Sequence, residues 1–108
     1  MQEVLSEIKR KAEILKEELE KRGFIVDSIY LFGSYAKGNW LKTSDVDLIV
    51  ISDGFEKMKF LKRLDLVNEI VWEKELGNFE VLPFTSAEVE KEISTVLRDA
   101  KKYWIKII

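Results

Sequence analysis

Residues 31–51 read LFGSYAKGNWLKTSDVDLIVI, and the fold of the chain turns on how that stretch divides. Its second half, carried on to residue 52, alternates as a strand does. Val46, Leu48 and Val50 project to one face, and Asp45, Asp47, Ile49 and Ile51 to the other. From Leu48 to Ile51 both faces are apolar, which puts this part of the strand inside a sheet covered on both sides. The start of the stretch completes another strand, over 28–32, rich in β-branched and aromatic residues. Between the two, Gly33 and Gly38 stand among polar residues, which predicts a turn, a short helix beginning near Ser34 and a loop.

Outward from this segment the periodicity changes. Val4, Leu5, Ile8, Ala12, Leu15 and Leu19 recur at helical spacing among Lys and Glu, so 2–22 reads as an amphipathic helix with Gly23 at its C-terminal cap. Asp53-Gly54 breaks the second strand, and a helix is expected over 57–76 with Phe60, Leu61, Leu64, Val67, Ile70 and Val71 on one face. Gly77-Asn78 ends it, and a third strand spans 79–84, with the only proline, Pro83, near its end. Thr85-Ser86-Ala87-Glu88 has the form of a capping box. A last helix should therefore start near Ser86 and bury Val89, Ile93, Val96, Leu97 and Ala100. The tail, 103–108, reads equally as more helix or as an edge strand. The expected fold is α/β (α+β), a small mixed sheet flanked by helices in the order α-β-loop-β-α-β-α.

Composition narrows the chemistry. The 108 residues suit one domain, and 46% hydrophobic content is enough for a core. The net charge of -2, from 20 acidic and 18 basic residues, supplies no basic footprint, so strong nucleic-acid binding is not expected. Without cysteine or histidine, zinc sites, disulfides, thiol nucleophiles and Ser-His-Asp triads are excluded. Any metal must sit on carboxylates, which favours Mg²⁺ or Mn²⁺. No apolar run has the length of a membrane span and the first residues are charged, so a cytoplasmic protein is the expectation.

The two halves of 31–51 suggest separate pieces of a site. Glycine at 33 lets the backbone approach a bulky anion, and N–H groups at the following helix start would point at it. Ser34 can add a hydroxyl donor and Lys37 a positive charge; a plain turn with a capping serine fits the same residues. Asp45 and Asp47 lie two apart in a strand, so both carboxylates leave one face, where like charges repel. A pair of divalent ions about 3.5–4 Å apart would compensate them and serve phosphoryl transfer. Solvated aspartates at a strand start are the alternative. Joined by one short loop, cradle and acid pair would meet at one end of the sheet around a metal-chelated triphosphate.

Gly33-Ser34, Gly38 and Ser44-Asp45-Val46-Asp47-Leu48 resemble the signature of the DNA polymerase β-like nucleotidyltransferase superfamily, in particular its minimal nucleotidyltransferase (MNT) members. The match covers about a fifth of the chain, and the order of elements suits the group. The resemblance implies a nucleotidyltransferase fold, two Mg²⁺ (or Mn²⁺) ions, and a third acid on a later strand. Glu80 is the candidate for that acid, where the family more usually has Asp. Asp45, Asp47 and Glu80 would be the catalytic metal ligands. Gly33, Ser34, Lys37, Lys42 and Ser44 would bind the nucleotide, ATP, although both lysines also fit as solvated loop residues. Trp40 would either stack on a base or shield the loop.

The resemblance also implies a partner. MNT proteins are often paired with a helical HEPN toxin, which they neutralise by adenylylating a tyrosine or by binding alone. A non-catalytic antitoxin that acts by occlusion is thus the alternative to the enzyme. The apolar tail (Tyr103, Trp104, Ile105, Ile107, Ile108) would serve such an interface, a homodimer seam or the core.

Overall fold

The computed structural model describes residues 2–41 and 44–108. Helix α1, Gln2–Lys21, buries Ile8, Ala12, Leu15 and Leu19 along one stripe. It stops at Gly23, where φ is +93°: the Gly23 N–H donates to Glu20 O (3.0 Å) and the Phe24 N–H to Leu19 O (2.9 Å), satisfying carbonyls left over by the last turn.

Strands β1 (Ser28–Phe32), β2 (Val46–Ile51), β3 (Phe79–Phe84) and β4 (Ile105–Lys106) form one sheet in the order β3-β2-β1-β4. β1 runs antiparallel to β2 and to β4, while β2 and β3 are parallel, so the sheet is mixed as expected. The tail resolves as an edge strand: β1 has a free edge, and β4 takes it, the Ile107 N–H reaching Ile29 O at 2.9 Å. Pro83 lies on the other edge strand, where a missing N–H leaves no ladder partner stranded.

The period-2 reading of β2 holds. Val46, Leu48 and Val50 join Ile29, Leu31 and Val81 in a core against α1 and helix α3 (Phe60–Glu73). Ile49 and Ile51 join Phe84, Val89, Leu97 and Ala100 on the opposite face, with Tyr30, Phe32, Leu82 and Trp104 at its margin. β2 is therefore covered on both sides, and its only polar member, Asp47, stands where cover ends.

Three expectations need correction. The helix expected over 57–76 begins only at Phe60, after a 3-10 turn (Asp53–Phe55) that buries Phe55, and it ends at Glu73. On it Leu61 is exposed, while Arg63 is only 4% exposed. The guanidinium can be buried because Glu88 takes it in a two-pronged pair (Nη1–Oε1 2.6 Å, Nη2–Oε2 3.1 Å) and Met58 O accepts from Nε. Finally, the last helix is two: α4 (Ser86–Glu90), with Thr85 and Glu88 completing the capping box, and α5 (Thr95–Ala100). Glu92 at φ +50° breaks the run, and the Ser94 hydroxyl caps the new start by accepting from the Leu97 N–H. Ile93 and Val96, expected inside, are consequently exposed.

Candidate active site

The acids collect where β2 and β3 begin and β1 ends. In the register of the sheet Asp47 is opposite Phe32 on one side and Glu80 on the other. Parallel neighbours in register share a face, so the carboxylates of Asp47 and Glu80 emerge side by side. Asp45 lies just before β2, exposed, and its charge reaches Asp47. Glu80 is exposed and Asp47 half-buried. Burial, then the neighbouring charge of Glu80 and a proton shared with it, then the charge of Asp45, push the Asp47 carboxyl up to about 6.

The turn after β1 meets these acids directly. Helix α2 (Gly33–Lys37) starts at Gly33, whose φ is +72°. A Cβ at this position would overlap Asp47 Oδ2 and stand 3.0 Å from its Cγ. Glycine is thus required twice, for its left-handed backbone and for the space the carboxylate fills. The plain-cap reading of Ser34 fails, because the N-cap residue is Phe32 and no side chain caps α2. The first N–H groups of α2 are left without a capping oxygen, next to a cluster of acids.

The remaining candidates are less central. Gly38, at φ +81°, closes α2 by donating its N–H to Ser34 O. The Lys37 ammonium lies 4.5 Å from the centre of the Tyr103 ring, a contact the sequence reading did not foresee. The Ser44 hydroxyl accepts from the Leu41 N–H (2.9 Å) and so closes the loop. Trp40 stacks on Tyr35, ring centres 5.1 Å apart, which accords with shielding of the loop. Lys42 lies outside the described residues. A surface cavity of about 820 Å³ between α1 and the C-terminal strand is lined by none of Asp45, Asp47 and Glu80.

The donor set suits a hard divalent cation in kind, since every candidate ligand is a carboxylate and like charges crowd at Asp47. Among the described residues, however, no three acids already stand close enough to form a coordination sphere. Asp47 and Glu80 are paired, and Asp45 is set apart from them. Negative side chains without a counter-ion repel one another, so drawing Asp45 in would fall to the cation itself.

A family model described as nucleotidyltransferase domain matches residues 8–106. A provisionally named protein adenylyltransferase of Methanocaldococcus jannaschii is 41% identical over 64 residues, covering 59% of this chain and 62% of its own length. A second protein of that organism, with the same provisional name, is 44% identical over 62 residues, covering 57% and 69%. The chain thus spans less than two thirds of the first of these relatives. Among solved structures, a provisionally named nucleotidyltransferase from Sulfolobus solfataricus aligns at TM-score 0.65 and 22% identity over 94% of this chain and 77% of that one. A toxin-antitoxin structure with AMP-PNP aligns at 0.62 and 21% identity, over 93% and 72%. At these identities the two structures speak for the fold.

Proposed function

Because the chain belongs to the nucleotidyltransferase domain family, we propose that it transfers a nucleoside monophosphate from a metal-chelated triphosphate, ATP, to a protein hydroxyl. The observation that supports this reading is the contact of Gly33 with Asp47, which sets the glycine turn against one of the acids. The N–H groups of Gly33 and Ser34 hold the β- and γ-phosphates, as open helix starts hold anions. Asp45, Asp47 and Glu80 would hold two Mg²⁺ or Mn²⁺ ions, which would neutralise the triphosphate and acidify the acceptor hydroxyl. The acceptor oxygen forms its bond to the α-phosphorus as the bond to the bridging oxygen breaks, and pyrophosphate leaves with that electron pair. Glu80 stands ready to help remove the hydroxyl proton. Lys37 supplies charge towards the leaving group.

The names of the relatives support a protein acceptor, and the fold shared with a toxin-antitoxin structure holding AMP-PNP supports an antitoxin role with ATP as donor. The resemblance to MNT proteins supplies the rest of the proposal: the acceptor is a tyrosine of a HEPN-type toxin. The test is incubation with α-labelled ATP, Mg²⁺ and the product of the neighbouring gene. Label should pass to that protein and be lost with Asp45→Asn and Asp47→Asn. Neutralisation that persists in both variants without labelling would instead mean occlusion by a non-catalytic module.

A further inference from the structure

Helix α3 has a face that the fold leaves uncovered. Its buried side is Arg63, Val67 and Ile70; the opposite side carries Leu61, Asp65, Asn68 and Trp72 at spacings of four, three and four, all exposed. Trp72 is 81% exposed, an unusual position for the largest apolar side chain, and Leu61 is 73% exposed. Beside Trp72 runs an open groove of about 540 Å³, from Asn68 past Glu73 and Glu75 to Gly77 and Asn78.

Two properties of this groove identify its occupant. The first is charge: Glu73 and Glu75 line it, Asp65 and Glu69 precede them on the helix, all four exposed, and Lys74 in the same turn is held by Glu18 at 3.6 Å. Arg22 is shared between Glu69 (3.5 Å) and Glu73 (3.1 Å), while Asp65 and Glu75 have no ion pair among the described residues. An aromatic anchor with an acidic surround fits an apolar side chain flanked by Lys or Arg. The second is position. The groove ends at Asn78, whose carbonyl accepts from the Val46 N–H at 2.8 Å, and Glu80 is two residues further on. A chain lying in the groove therefore runs towards that end of the sheet and rounds the edge strand β3 to reach Asp47 and Glu80, which face away from α3.

We infer that Trp72 and the acidic C-terminal turn of α3 form the docking site for the protein acceptor, through a basic segment with one apolar anchor. This rests on the protein-acceptor reading of the site, but it is a claim about binding and can fail separately.

The probes are two synthetic 15-residue peptides that share one tyrosine and one leucine, with lysines or with glutamates around them. Trp72 fluorescence in a Trp40→Phe, Trp104→Phe background reads docking without nucleotide; α-labelled ATP with Mg²⁺ reads transfer. The basic peptide should shift the Trp72 emission and the acidic one should not. Trp72→Ala should raise the KM for the basic peptide about tenfold or more and leave kcat and the KM for ATP unchanged. Glu75→Gln should weaken docking of the basic peptide several-fold, and 0.5 M salt likewise. Equal docking of both peptides, or an unchanged peptide KM in Trp72→Ala, overturns the inference even if transfer occurs. So does a dimer in sedimentation that Trp72→Ala dissociates, since the face would then belong to a second copy. Docking of the basic peptide without transfer would leave this inference standing and sink the catalytic one.

Discussion

Replacing Gly33 by alanine separates the backbone requirement from the contact with Asp47, because Gly38 provides a matched control. Both glycines have left-handed backbones, at φ +72° and +81°. An L-residue there costs about 1–2 kcal/mol, so both alanine variants carry that loss. A Cβ on Gly38 meets nothing within 4 Å, whereas one on Gly33 overlaps the Asp47 carboxylate and lies 3.2 Å from its Cβ. Asp47 must rotate away, at about 0.5–1.5 kcal/mol for leaving its rotamer well. Urea unfolding should therefore place Gly33→Ala roughly 1 kcal/mol below Gly38→Ala. Activity should divide them far more: moving a reacting group by about 1 Å costs on the order of 100-fold, so Gly33→Ala should lose at least about that in kcat, and Gly38→Ala only a few-fold. Nucleotide transfer to the acceptor, measured where both variants are folded, gives the comparison. Equal activity in the two would refute the idea that Asp47 works from the place Gly33 leaves for it.

Other expectations follow from the same contacts. Asp47 has a folded pKa of about 6 against an ordinary 3.8, so its contribution to stability is full below about 3.8 and lost as pH rises through 6. Two units would amount to about 3 kcal/mol, but the group is half-exposed and screened, leaving about 1 kcal/mol. With EDTA present, Asp47→Asn should be more stable than the parent by roughly that amount at pH 7 and equal to it near pH 4; a difference independent of pH would contradict this. Arg63→Met strands Glu88 and should lower stability by about 2–4 kcal/mol in urea unfolding, part of it recovered by adding Glu88→Leu, which also gives up the capping box. Full stability in the single variant would show the pair to be idle. Glu80→Gln should cut kcat by at least about 100-fold and Asp45→Asn likewise, neither lowering the unfolding midpoint, since each removes a charge that repels Asp47. Mg²⁺ titrations of the rate would expose a mere change in metal affinity.

Much of this fold could be read in advance where local chemistry decides. β1 and β3 begin and end as expected because glycine, asparagine and threonine punctuate runs rich in β-branched and aromatic residues. β2 was legible from its two apolar faces. Arg63 was not, because its burial depends on Glu88, 25 residues away. The break between α4 and α5 did leave a signal: Ser94 stands three residues before Leu97, a cap position that the helical spacing of Val89, Ile93 and Val96 masked. The tail could not be assigned locally, since its pairing depends on an edge of β1 left free by other strands. In the site, strand geometry gave the face of Asp47, whereas Asp45 falls just before β2, where the period-2 argument no longer applies. The seating of Asp47 against Gly33 is tertiary and became visible only with the sheet register. Lys37 on Tyr103 is of the same kind, joining residues 66 positions apart through the cover of the sheet.

The central claim is that phosphate and metal occupy one site built from the end of β1 and the start of β2. Amide NMR spectra with Mn²⁺ and a non-hydrolysable ATP analogue test it most directly, because a paramagnetic ion broadens what lies near it. The resonances of Gly33, Ser34, Asp45, Asp47 and Glu80 should broaden together, and only when ion and nucleotide are both present. Broadening confined to the acids, or centred anywhere else on the chain, would contradict it.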